Sequence, residues 1–169
     1  MIPDLSGMPA ISQIAAVVML EEFKKNVREV PLGSNRGPDV DAYLRGRRDD
    51  GAYLLGIHGD RGAPWCARMV LWAVEGAAMA LATPPPTRGH GDLASAHRWQ
   101  KFARETSRWY RDASPGRVGV MIDEKFSGHV VLVLRADDAL VTSVEGNWGN
   151  KVDVVERPAR MFAGFVDLA

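Results

Sequence analysis

The chain has 169 residues, enough for one compact domain spanning 1–169 and burying about two thirds of its unfolded surface, and too few to expect a second. Its 21 basic and 21 acidic residues cancel, which excludes a broad basic footprint for nucleic acid and an acidic, solvating tail. A single cysteine excludes an internal disulfide, so folding in a reducing cytoplasm is expected even if the protein acts elsewhere.

Ala10 to Asn26 carries Ile11, Ile14 and Val18, with Ala15 and Leu20 on a flanking stripe, close to the 3.6-residue period of an amphipathic helix. Glu21, Glu22, Lys24 and Lys25 form its wet end. The apolar stretch Ile11 to Leu20 is too short for a membrane span and lacks the basic lead of a signal peptide, so neither insertion nor signal-directed export is expected. Pro31 to Pro38 is rich in turn residues, and Pro38 opens a second short helix through Asp39, Val40, Tyr43 and Leu44 that Gly46 ends. Arg47 to Ala63 is polar and glycine-punctuated and reads as a loop. Pro64 opens the most apolar helix, Trp65 to about Ala80. Thr83 to Gly91 breaks it, and a charged helix follows over Asp92 to Tyr110 with Leu93, Ala96, Trp99, Phe102 and Ala103 inward.

From Arg117 the period shortens to β-type runs: Val118 to Ile122, Val130 to Leu134, Leu140 to Val144, Val152 to Val155 and Gly164 to Val166. Turn residues separate them at hairpin distances, which favours antiparallel pairing. The expected class is α+β, with N-terminal helices packed on a C-terminal antiparallel sheet of about five to six strands.

A lone cysteine is ordinarily a small buried hydrophobe. Cys66 differs because it falls in the first turn of a helix, where free backbone N–H groups and the helix dipole stabilise a thiolate. Of the four histidines, His58 and His90 lie in glycine-rich stretches and His97 in the charged helix, all positions for a solvated ring. His129 opens a strand that is otherwise almost wholly apolar, where a polar ring needs a partner or a task. A hairpin with a three-residue loop at Ala136 to Asp138 pairs residues whose numbers sum to 274, which sets Glu145 opposite His129 and points Asn147 to the same face. Nucleophile, base and orienting group are the constellation that covalent catalysis requires: Cys66, His129 and Glu145, with Asn147 as an alternative orienter or oxyanion donor.

These residues resemble the cysteine, histidine-dependent amidohydrolase/peptidase (CHAP) family of papain-like cell-wall hydrolases, phage-lysin type. The matching pieces are Pro64-Trp65-Cys66-Ala67 with Val70 and Trp72, Pro115 to Val120, Gly128-His129-Val130, and Glu145-Gly146-Asn147, with Glu29-Val30-Pro31, Asn35 and the helix through Tyr43 as a lead-in. The resemblance implies a papain-like fold, a thiolate at Cys66, a general base at His129, an orienting Glu145 and an accessory Asn147. It implies hydrolysis of amide bonds in bacterial peptidoglycan, by an N-acetylmuramoyl-L-alanine amidase or an endopeptidase; the lack of an export signal fits release through a holin-type membrane pore or a secretion machine and does not choose between them. A secreted effector toxin with an immunity protein, and a non-catalytic binding or virion-structural module, are the alternatives. Trp65, Trp148, Gly128 and Asn35 are the substrate-binding candidates, the two indoles by stacking on a sugar or lining a peptide groove. The sequence departs from the family in the charged turn Asp123-Glu124-Lys125 and in lacking a wall-binding repeat. Some relatives bind calcium before the cysteine, but Asp49, Asp50, His58 and Asp60 lack a regular alternation of oxygen ligands, so neither metal nor cofactor is expected.

Overall fold

Runs with helical period occupy the first part of the chain and β-branched runs the last, and the fold keeps them apart. The computed structural model describes residues 4–45, 64–122 and 128–169; the stretches around Asp49 to Asp60 and Asp123 to Lys125 lie outside them. Among the described residues there are four α-helices, α1 (Ala10–Lys24), α2 (Pro38–Arg45), α3 (Cys66–Ala80) and α4 (Ala96–Glu105). Six strands follow: β1 (Trp109–Tyr110), β2 (Val118–Met121), β3 (His129–Ala136), β4 (Leu140–Trp148), β5 (Lys151–Pro158) and β6 (Gly164–Val166). They form one antiparallel sheet in the order β1-β6-β2-β3-β4-β5. This is the α+β class.

The helix boundaries depart from the sequence reading where side-chain chemistry intervenes. Ser95 caps α4 by accepting from the Arg98 N–H, so the helix starts at Ala96 rather than Asp92. Ser107, at φ 58°, ends it, and Trp109 and Tyr110 pair with β6 instead of continuing the helix. On α1 the buried face is rotated from the expected stripe: Ser12, Ala15, Ala16, Met19 and Leu20 are inside, and Ile11, Ile14 and Val18 only flank the core. Small residues on this face let α1 lie against α3, whose Ala73, Ala77 and Ala78 are also buried. Glu22 is not solvated. Its carboxyl group accepts from the buried Tyr43 hydroxyl, and Tyr43 in turn packs its ring on Trp65 and Trp72.

β3 runs through the middle of the sheet with both faces covered, which explains its unbroken apolar run. Val130, Leu132 and Leu134 join Val70 and Val74 of α3 in the main core, while Val133 packs with Val141 and Phe165 in a second cluster. β4 and β5 are joined by Gly149 and Asn150, both at positive φ (59° and 64°), the two-residue turn that matches strand twist. The chain before α2 is stitched to this hairpin: Arg28 bridges Lys151, and the Glu29 N–H donates to the Asn150 carbonyl at 2.9 Å. No helix among the described residues is long and apolar enough to cross a membrane.

Candidate active site

The site is built at the N-terminal end of α3. The helix begins at Cys66 with Trp65 as its N-cap, two residues later than a start at Pro64 would place it. Cys66 is therefore the first helical residue, and the Ala67 N–H of the same turn is free to point at the sulfur. Trp65 is fully buried, and its indole N–H donates to Glu29 Oε1 at 2.9 Å. The other Glu29 oxygen accepts the Asn35 backbone N–H at 3.0 Å. Trp65 thus braces the helix start from inside and offers no surface to a substrate. Gly146 makes room for it, since a Cβ there would lie 2.5 Å from the Trp65 ring and 2.7 Å from the Met69 sulfur.

His129 is the first residue of β3, paired with Met121 of β2. Gly128, just before it, has φ +89°, and a Cβ would lie 2.5 Å from the Met121 carbonyl and 2.7 Å from Ala96 Cβ. Glycine is required there by close packing at the neck of the histidine, a different role from the substrate contact expected of it.

Glu145 meets His129, but not through the expected register. Asp137 closes a later turn, its N–H donating to the Leu140 carbonyl at 3.0 Å and its carboxylate accepting from the Ala139 and Leu140 N–H groups. Ala136 therefore pairs with Val141, numbers that sum to 277, and a bulge between Val133 and Arg135 returns one residue, to 276. The net displacement from 274 is two residues, a whole side-chain repeat, so Glu145 keeps to the histidine's side as a diagonal neighbour. His129 Nε2 and Glu145 Oε2 are 2.9 Å apart, which leaves Nδ1 for the sulfur.

Behind Glu145 stands Arg157 of β5. Its guanidinium donates to both carboxylate oxygens, at 2.9 Å to Oε2 and 2.7 Å to Oε1, and lies 4.2 Å from the centre of the Trp148 ring. Glu145 is wholly buried and Arg157 is 4% exposed. Trp148 is 47% exposed, and its ring centre is 5.9 Å from that of His129. Asn147, at φ 63°, turns its Nδ2 to the Asn35 side-chain oxygen at 3.2 Å. The structure thus gathers Cys66, His129 and Glu145 into one relay, sets Trp148 beside it, and ties Asn147 to Asn35. His90 and His97 are exposed, His90 against the edge of Phe102, and His58 lies outside the described residues. Arg157 is the member that sequence reasoning missed. Beside Glu156 and Pro158 it reads as a wet strand end, and the one available signal was that a buried Glu145 would need a cation.

The electrostatics favour a thiolate–imidazolium pair. Burial pushes the Cys66 thiol up, but the His129 ring and the N–H groups of Val130 and Ala67 outweigh it, so its pKa falls below the ordinary value. Burial opposes charge on His129 too, yet the sulfur and Glu145 together raise its pKa to about 9. The imidazolium therefore adds to stability below the ordinary 6.5, and that share is lost as pH rises through about 9. The thiolate's share is present above 9.0 and lost as pH falls through its lowered native value. Cys66 is 7% exposed and the His129 side chain 17%, so the pair is not sealed from solvent. Iodoacetamide is expected to alkylate Cys66 at pH 6, where an ordinary thiol is protonated, and His129→Ala should remove that reactivity. Equal alkylation of the two proteins at pH 6 would exclude the ion pair.

Neither a family model, a curated protein nor a solved structure matches this chain. Function therefore rests on the site. Among the described residues, no group of three or more His, Cys, Asp or Glu side chains is placed to hold a metal ion.

Proposed function

We propose that the protein is a CHAP-like, papain-like cysteine amidase or endopeptidase that cuts the peptide part of bacterial peptidoglycan. The observation that carries this reading is the relay from Cys66 at the head of α3 through His129 to the buried, doubly hydrogen-bonded Glu145. The Cys66 thiolate adds to an amide carbonyl, and the His129 imidazolium gives its proton to the leaving amine as the C–N bond breaks. The C–S bond of the resulting thioester is then cut by a water that loses a proton to His129, which frees a carboxylic acid and restores the ion pair. Glu145 holds the ring so that one nitrogen always faces the sulfur. Peptidoglycan as substrate is supported by the order of the motifs around Cys66, His129 and Glu145, and by the exposed Trp148 indole beside the histidine, a surface for a sugar or peptide to stack on. Action on the cell wall follows synthesis in the cytoplasm and release, as for a phage lysin.

Purified sacculi incubated with the protein should release soluble fragments bearing new free amines, and mass spectrometry of those fragments assigns the bond. Protein alkylated at Cys66 beforehand should release none. Sacculi left intact by the unmodified protein, or cleared equally by the alkylated one, would refute this function.

A further inference from the structure

We infer that Arg157 is a positioning residue for the Cys66–His129 pair, acting through Glu145 and never touching the reacting atoms. This rests on the pair's geometry and deepens the proposed reaction. Glu145 is fully buried, and a carboxylate there with a single partner could rotate about its last torsion and present either oxygen to His129. The two-pronged guanidinium removes that freedom: one prong takes Oε1 entirely, and the other shares Oε2 with His129 Nε2, so the plane of the carboxylate and the direction of its bond to the ring are both set.

The same contact divides the carboxylate's charge. Oε2 lies 2.9 Å from both the histidine nitrogen and the arginine nitrogen, so His129 feels an anion that Arg157 has already partly neutralised. Among the described residues, the charged and titratable groups facing His129 are Cys66 from α3 and Glu145 from β4. Arg157 of β5 stands behind Glu145. Lys151 and Asp153 of β5 pair with each other at 2.8 Å. Arg157 also backs one face of Trp148, so a single side chain holds both the orienter of the histidine and the indole beside it.

The rate of Cys66 alkylation as a function of pH reads the pair without any substrate, so its outcome is independent of whether peptidoglycan is cut. The upper inflection of that profile reports loss of the imidazolium proton. Arg157→Met keeps the bulk beneath Trp148 but returns the full carboxylate charge to His129, and should move the inflection upward by about half a pH unit or more. Arg157→Lys keeps the charge and should leave the inflection near that of the parent. If Arg157→Met does not fold, Arg157→Gln, which still donates one hydrogen bond to Glu145, carries the same expected upward shift. An unmoved inflection in the neutral variant, or an equal shift in Arg157→Lys, would reduce Arg157 to a packing residue and overturn the inference.

Discussion

Replacing Cys66 with alanine is expected to lower the hydrolysis of cell walls on the order of 10⁴-fold or more, because every covalent step of the proposed reaction passes through its sulfur. What survives would come from binding and from any donors that polarise the carbonyl. The substitution removes one heavy atom from a nearly buried position and leaves His129 on Glu145, so a stability cost of about 1 kcal/mol is expected, or a few degrees in Tm for a domain of this size. Cys66→Ser should be as inactive, since a hydroxyl does not ionise in the field that lowers the thiol. The check is fragment release from sacculi, with the melting curve recorded on the same preparation. A folded alanine variant that still clears walls at more than a hundredth of the parent rate would eliminate cysteine chemistry.

The second large effect falls on stability. Glu145→Ala strips the buried Arg157 of its counter-ion and leaves a guanidinium inside the fold with no carboxylate, for which a loss of about 3–5 kcal/mol in unfolding free energy is expected. Glu145→Gln retains one acceptor and most of the volume and should lose less. Replacing Glu145 and Arg157 together by leucine should recover much of the loss, because the penalty arises from a stranded charge more than from the missing pair itself. Urea denaturation of the four proteins measures this. An alanine variant within about 1 kcal/mol of the parent would mean that water reaches Arg157 and that the relay is not enclosed as described.

The class of fold was legible because its signals are local. Helical period, the switch to β-branched runs at Arg117 and the turn residues between those runs are each read within a window of a few residues. Cys66 and His129 were legible for the same reason, one at a helix start and the other interrupting an apolar strand. Features decided by distant packing were not. Trp109 and Tyr110 continue a helical pattern until β6, more than fifty residues later, offers them a strand to pair with. Glu22 lies among charged neighbours, and only the approach of Tyr43 shows that it is buried. Glu145 was placed on the side of His129 through a register that was off by two residues: the turn sits later than counted, the bulge near Arg135 subtracts one, and the remaining even offset keeps parity. Arg157 had no local signal at all, since its reason for being buried stands on another strand.

The order of the site residues along the chain bears on how the proposed activity would be acquired during synthesis. The sulfur is made early, but its base, the acid that orients the base and the arginine behind it all lie beyond residue 128, and Asn147 meets a partner 112 positions away. A chain completed only as far as α3 therefore lacks His129, Glu145 and Arg157, and the thiolate–imidazolium pair on which the proposed reaction rests forms only after the last hairpin has emerged and folded back.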